Sequence, residues 1–484
     1  MRRWTGALCL VHYEATIMTN YVAIHGHFYQ PPREDPFTGQ MPREAGAEPY
    51  HDFNEKITAE CYQPNAQAGN FDRISFNIGP TLIAWLAHYQ PETYERILQA
   101  DRIYHSLHGT GNAIAQSAHH TILPLARQRD KHLQISWGIA SFQHRFQRQP
   151  RGLWLPEMAV DLATLSILAQ LGLSFTLVSE EQVRGDLRLG AGPYRVRLPG
   201  GGYFAVFVRD RFLSNELSFD MDHIADGRRW LDWRLRGRSG LTLIATDGET
   251  FGHHHRQGTQ LLTDMLKAQP DVVYRPIALS HYLLTHPPTI EIEINEQTAW
   301  SCSHGLARWD TGCSCTPGDH QWKPVLRSAL DLLADEIDAI YQYEMRRLMT
   351  APWLLIERYI EVVLGRIDPL TLTRELTHTR LTSEQTRRVA QLAQAQLHRQ
   401  RMFTSCGWFF EKLDRPEPRY VIAQAMRAID LVKQATLVDL GPNFREALSA
   451  ARHTQPGPTS GRPIQSAADL YDEIYQRRAD SRLA

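Results

Sequence analysis

From Tyr21 to about residue 290, short apolar runs repeatedly give way to polar loops and then to stretches of helical periodicity. YVAI precedes HGHFYQPP, LQISWGI precedes the 140s, and GLWL precedes PEMAVD. LSFTLV precedes SEEQ, YFAVFV precedes RDRF, and LTLIA precedes TDGE. Short runs without polar alternation are expected of strands buried on both faces, hence of a parallel sheet covered by helices. The alternation suits either an α/β barrel or a doubly wound sheet. Asp161 is placed to cap a helix through LATLSILAQLG, with Gly172 near its end.

Beyond about residue 320 the period changes. KPVLRSALDLLADEIDAIYQYEMRRLM, TSEQTRRVAQLAQAQLHRQRMF and RYVIAQAMRAIDLVKQATLV all read as helices, the second opening on a capping box from Thr382 to Gln385. A helical bundle is therefore expected here. Residues 453–466, HTQPGPTSGRPIQS, read as a linker before one last short helix.

Composition narrows the class. A hydrophobic fraction of 43% and a charged fraction of 22% over 484 residues describe an ordinary globular protein with a large core. The net charge of −1 gives no global field for nucleic acid or an anionic membrane, so neither is expected as a partner. Six cysteines in so long a chain do not make a disulfide scaffold, and a reducing, cytoplasmic setting is expected. The patch GALCLV near the start is shorter than a secretory core and lacks a clear cleavage site. Residues 1–17 are read as a disordered or untranslated leader, with Met18 as the start.

In a barrel, functional side chains project from the C-terminal strand ends, so charge just after a buried run is the feature to collect. His25 and His27 follow YVAI, Glu157 follows Trp154 and Pro156, and Asp247 and Glu249 follow LTLIA. Asp210 and Arg211 follow YFAVFV in the same way.

IHGHFYQPP, GLWLPEMAVD and ATDGETFGHHH, in that order, resemble the motifs of glycoside hydrolase family 57. GTGNAIAQSAHHTILPL is similar to that family's second conserved region, and AWSCSHGLARWDTGCSC and FTSCGWFFEKLD to a variant with an uncharacterised C-terminal extension. The resemblance implies an α/β fold: a distorted (β/α)7 barrel over 18–290, a cleft-lining segment and helical domain over 291–450, and a linker with a short helix over 451–484. It implies a retaining hydrolase or transglycosylase on α-1,4-linked glucans or maltooligosaccharides, of amylase, 4-α-glucanotransferase or branching type, with no cofactor. Glu157 matches the family's nucleophile and Asp247 its general acid/base; 90 residues separate them, so a closed barrel is needed to bring them face to face.

The substrate contacts that the resemblance implies are His25, His27, Trp154 and His120, with Trp408 from the helical half. The last is a departure, because the family's SDW reads CGW here. Glu249 is expected to orient the loop, His253 and His254 to reach substrate hydroxyls, and His255 to be solvated. Trp300, His304 and Trp309 are expected to line subsites.

Cys302, His304, Cys313 and Cys315 give C-x-H-x8-C-x-C, four soft ligand types within fourteen residues. Structural zinc sites more often use C-x2-C spacing, and the family's mechanism uses no metal, so a pair of buried thiols near the cleft is expected instead. Two other classes stay open. A metal-dependent polysaccharide deacetylase would hold an ion on a His pair and an Asp, and a non-catalytic α-glucan-binding protein would need no carboxylate pair.

Overall fold

The computed structural model describes residues 20–188, 190–267, 273–377, 380–452 and 465–483. The expected leader, 1–17, and most of the expected linker, 453–464, lie outside the described residues.

The described strands are β1 (Asn20–Phe28), β2 (Ser75–Ile78), β3 (Ala113–Gln116), β4 (Leu153–Trp154), β5 (Phe175–Ser179), β6 (Val183–Gly185), β7 (Tyr194–Arg197), β8 (Tyr203–Arg209), β9 (Gly240–Asp247), β10 (Tyr274–Pro276) and β11 (Glu291–Ile294). Every residue of β2, β3, β4 and β5 is buried, which is why these runs carry no polar alternation. Parallel pairing joins β1 to β2, β2 to β3, β3 to β4, β5 to β8, and β9 back to β1. Two looser joints complete the ring. Between β4 and β5, Gly152 pairs with Phe175 and Thr176 Oγ1 donates to the Leu153 carbonyl at 2.7 Å. Between β8 and β9, Asp210 N donates to Leu243 O at 2.8 Å, and Ala191 is wedged in, donating to Leu241 O and accepting from Val208 N.

Seven parallel strands thus close into one distorted barrel, which decides between the two architectures the alternation allowed. β7 leaves this ring antiparallel to β8 and carries β11 and β6 outward as a side sheet. The strand Glu291–Ile294, just past the expected boundary at 290, therefore belongs with the barrel side.

The run LQISWGI departs from expectation: it lies inside a helix, Gln128–Phe146. Leu133 and Trp137 pack into the core shared with the helical half, whereas Ile135, Ile139, Phe142 and Phe146 pack into the barrel core. A helix caught between two cores is apolar on opposite faces, and its sequence then mimics a buried strand.

In the C-terminal half, α1 (Trp322–Met345), α2 (Ser383–Arg401) and α3 (Pro416–Thr436) pack around one core. The expected capping box is present: Gln385 N donates to Thr382 Oγ1 at 3.2 Å, and Thr382 N donates to Gln385 Oε1 at 2.9 Å. The Asp161 cap is also present, its Oδ1 accepting from Thr164 N at 2.7 Å. The last helix, Ala467–Leu483, is longer than expected, at 17 residues, and buries Ala467, Ala468 and Leu470 in the bundle core. Barrel residues Ala118, Ile122, Leu133, Trp137 and Ala159 join that core, so the bundle is seated directly on the barrel mouth. No helix among the described residues is long and apolar enough to cross a membrane.

Candidate active site

The C-terminal ends of the seven ring strands deliver His27, Asn77, Gln116, Trp154, Ser179, Arg209 and Asp247 to one end of the barrel. Register sets the level of three of them: His27 lies opposite Asn77 on one side and opposite Asp247 on the other. Above them opens a cleft of about 990 Å³, lined by His27, Glu157, Asp247 and Glu249 from the barrel and by Phe409 and Phe410 from the helical half.

Glu157 sits just past β4 in the left-handed region, φ 58°, followed by Met158 at φ 48°. Two successive non-glycine residues there cost about 1–3 kcal/mol each, and the surroundings hold them in place. Met158 is fully buried, its carbonyl accepts from Gln182 Nε2 at 2.7 Å, and the Glu157 carbonyl accepts from Trp300 N at 3.1 Å. The turn re-aims the Glu157 carboxyl toward the loop after β11. There Oε2 accepts from Ser301 Oγ at 2.7 Å and from Trp300 Nε1 at 3.2 Å. Burial raises the carboxyl above the ordinary carboxylate range, while these two donors and Arg308 pull against that rise.

Asp247 ends β9 with its side chain in the open cleft. The surrounding protein and the charge of Glu157 push it up to about 7, against a smaller downward pull from Arg209. The next residue must be glycine, because a Cβ at Gly248 would lie 2.3 Å from the buried Phe28 ring. Glu249 is buried and pushed up to about 8, first by burial and then by Asp247. Its Oε1 accepts from the Tyr62 hydroxyl at 2.6 Å and from Tyr29 N at 3.2 Å. Arg209 bridges the wall: it donates to Ser179 Oγ at 2.9 Å and to Ala245 O at 3.2 Å, and lies 4.8 Å over the Trp300 ring.

The histidines form a layered floor. Trp154 is fully buried and stacks on His27 at 4.5 Å and His25 at 5.2 Å, while Tyr29 stacks on His120 at 3.9 Å. Asn77 holds both members of the HxH pair, His25 through Nε2 at 3.1 Å and His27 through a 2.9 Å bond from Nδ2 to Nδ1. His27 Nε2 faces His120 Nε2 at 3.3 Å, and His120 Nδ1 meets Ser405 Oγ at 2.6 Å. Burial pushes His25 down to about 4, His120 to about 3, and His27 well below its ordinary value, so the chain is neutral at physiological pH. An amide donor at His27 Nδ1 leaves the ring's proton on Nε2, pointing along the chain.

Several expected contacts are corrected. His25 and Trp154 support the cleft from beneath and do not line it. Trp408 and Trp309 are fully buried in the bundle core; Trp408 donates to Lys323 O at 3.3 Å, with Arg327 4.6 Å over its ring. It is the next two residues, Phe409 and Phe410, that the chain turns to the cleft. Asp210 caps the helix Arg211–Phe219, accepting from Leu213 N at 2.8 Å and pairing with Arg238 at 2.5 Å; Arg211 alone of that pair lines the cleft. His253 and His254 line it, His253 meeting Glu60 at 2.5 Å, but His255 is not solvated: it is buried against Asp222 and the Ser218 carbonyl, both at 3.0 Å.

His304 does not line a subsite either. Its Nδ1 lies 3.3 Å from Cys315 Sγ, and Cys302 Sγ lies 3.6 Å from Cys313 Sγ and 3.7 Å from Cys315 Sγ. In place of a pair of thiols, four soft ligand atoms converge within 4.8 Å of one another. Among the described residues, His25, His27 and Asp247 form no such group, so the donor set of a metal-dependent deacetylase is not assembled.

Sequence reasoning missed Arg209, Ser301, Phe409, Phe410 and Tyr62. Arg209 obeyed the rule of charge at a buried strand's end, but its neighbours Asp210 and Arg211 drew the attention. Ser301 and the phenylalanines had no local signal.

The family model described as Glycosyl hydrolase family 57 matches residues 18–276, and one described as Domain of unknown function (DUF3536) matches residues 319–469. No curated protein matches the chain. Among solved structures, an exo-type maltose-forming amylase from Pyrococcus sp. ST04 superposes with a TM-score of 0.73 at 14% identity, over 88% of this chain and 82% of that one. A GH57-type branching enzyme from Pyrococcus horikoshii gives 0.56 at 14%, over 89% and 94%. The 4-alpha-glucanotransferase from Thermococcus litoralis gives 0.54 at 13%, over 85% and 59%. At these identities the structures speak for the shared fold.

Proposed function

Because the chain belongs to glycosyl hydrolase family 57, we propose that it cleaves or transfers α-1,4-linked glucans by a retaining mechanism, with Glu157 as nucleophile and Asp247 as general acid/base. The observation that carries this reading is geometric: Glu157 and Asp247 line one cleft at the barrel mouth, and two donors hold Glu157 Oε2. The two donors favour the ionised form of Glu157, while burial first and the Glu157 charge second favour the protonated form of Asp247. A retaining glycosidase needs one carboxylate to attack the anomeric carbon and one carboxyl to protonate the departing oxygen.

In the first step Glu157 forms a glycosyl ester while Asp247 gives its proton to the glycosidic oxygen. In the second, Asp247 takes a proton from water or from a sugar hydroxyl, which attacks the ester. His27 lines the cleft as a neutral ring whose Nδ1 is held by Asn77 and whose Nε2 faces His120, so a sugar hydroxyl would have to take the place of His120 to bond it. Phe409, Phe410 and Trp300 offer apolar faces for pyranose rings. The solved relatives named maltose-forming amylase, branching enzyme and 4-alpha-glucanotransferase support α-glucan as the substrate. They do not divide hydrolysis from transfer, since all three outcomes share the same ester.

The test is incubation with maltooligosaccharides and amylose, followed by product chain-length and linkage analysis. Glu157→Gln is expected to abolish turnover, because no ester can form. Asp247→Asn is expected to spare formation of the ester from substrates with an activated leaving group. An α-glucan activity untouched by both substitutions would overturn the assignment.

A further inference from the structure

The cysteine cluster lies at the rim of the cleft and is not needed for the chemistry above. Its geometry can be compared with a known coordination shape. A tetrahedral zinc ion with Zn–S near 2.3 Å and Zn–N near 2.0–2.1 Å separates its ligands by about 3.8 Å for S···S and about 3.5 Å for S···N. The observed edges are 3.6 and 3.7 Å for sulfur pairs and 3.3 Å for His304 Nδ1 to Cys315 Sγ. A bonded disulfide would be near 2.05 Å, and a pair poised to form one would single out one partner. Here Cys302 lies 3.6 Å from Cys313 Sγ and 3.7 Å from Cys315 Sγ, so neither is singled out. The ligands also come from two short stretches eleven residues apart, so an ion would close a loop that has little regular structure of its own.

We infer that Cys302, His304, Cys313 and Cys315 form a tetrahedral zinc site that pins the segment carrying Trp300 and Ser301. Three thiolates and a divalent ion leave a net charge of −1, and the buried Lys323 lies within electrostatic reach of Cys302 and Cys313 to balance it. Cys302 is buried and directly follows Ser301, and an antiparallel bridge joins Cys302 to Ala299. Fixing Cys302 therefore fixes the two side chains that bond Glu157 Oε2. The metal's role is structural, and the inference stands whether or not Glu157 is the nucleophile.

The experiment is metal analysis of the full chain, purified in reductant from zinc-supplemented cells, with Co²⁺ exchange and hydrogen exchange alongside. The expected result is about one zinc per chain and a thiolate-to-cobalt charge-transfer band on exchange. The double variant Cys313→Ala with Cys315→Ala is expected to lose zinc about tenfold or more, whereas Cys61→Ala keeps it. Chelation is expected to raise amide exchange across 296–318 while leaving β1 and β9 protected. If the double variant fails to fold, zinc content and the cobalt band of the unmodified chain decide alone. Fully reduced protein that takes up neither zinc nor cobalt overturns the inference, as does a chain isolated without metal and with a Cys302–Cys313 disulfide.

Discussion

Ser301 donates its hydroxyl to Glu157 Oε2 at 2.7 Å, and Trp300 Nε1 donates to the same oxygen at 3.2 Å. The two bonds that favour the charged form of the candidate nucleophile thus come from a loop more than 140 residues away in sequence. Ser301→Ala removes a donor that favours the charged form, so the acid limb of kcat/KM is expected to move to higher pH, with activity falling about tenfold below neutrality. A pH–rate profile checks both. An unchanged acid limb would show that Ser301 does not tune Glu157.

In the proposed mechanism Asp247 must be protonated for the first step, and its carboxyl is pushed up to about 7. Activity is therefore expected to fall as pH rises through about 7, and the optimum to lie between that value and the raised position of Glu157. With an activated substrate, Asp247→Asn should abolish this alkaline limb in pre-steady-state ester formation. Because the carboxyls interact, the observed limbs belong to the coupled set of Glu157, Asp247 and Glu249.

Glu249 makes a prediction about stability. Its folded value, about 8, stands above the ordinary 4.5, so the folded chain keeps a proton that the unfolded chain releases. Stability from this group is intact below pH 4.5, declines as pH rises toward 8, and is then level. Glu249→Gln removes that loss and retains an oxygen for the Tyr62 hydroxyl. The variant is expected to gain on the unmodified chain with rising pH, on the order of a few kcal/mol by pH 8. Urea unfolding at pH 5 and pH 8 measures it; an advantage independent of pH would contradict the assigned burial cost.

Trp408 and Phe410 should separate by readout. Trp408 is buried in the bundle core, so Trp408→Ala is expected to cost about 3–5 kcal/mol of stability through the cavity it leaves. Phe410→Ala opens the cleft wall and is expected to raise KM for maltooligosaccharides with little change in melting temperature. Thermal melts and kinetics on the two variants check this; the reverse pattern would return Trp408 to the cleft.

Where bundle meets barrel, Arg399 Nη1 pairs with Asp130 at 2.6 Å and Nη2 with Asp338 at 2.9 Å, all within the protein interior. Asp130 would keep Arg129 and Gln400, and Asp338 would keep Arg129 and Arg127, so Arg399→Ala removes two charge-assisted bonds without stranding a carboxylate and is expected to cost about 1.5–3 kcal/mol. Because Asp130 belongs to the barrel-side helix and Asp338 to α1, the loss should also loosen the bundle from the barrel. Denaturant unfolding followed by tryptophan fluorescence would record it.

Much of the barrel was legible in the sequence because burial on both faces writes itself as unbroken apolar runs, and the charge ending each run marks the mouth. Glu157, Asp247, Glu249 and His27 all stood out in that way, and the capping residues Asp161 and Thr382 did so through local hydrogen bonding. The helix Gln128–Phe146 was misread because contact with two cores erased its polar face.

What the sequence by itself determined was part of the strand-end set, His27, Trp154 and Asp247 with Glu157 and Glu249 just beyond, since period and turn chemistry act within a few residues. The closure of seven strands, the inward rotation of Trp408 beside outward Phe409 and Phe410, the convergence of three cysteines with His304, and the bonds from Trp300 and Ser301 to Glu157 were decided only by tertiary structure. They join residues scattered across the chain, and such contacts are set by how helices and sheets pack, which no local pattern encodes.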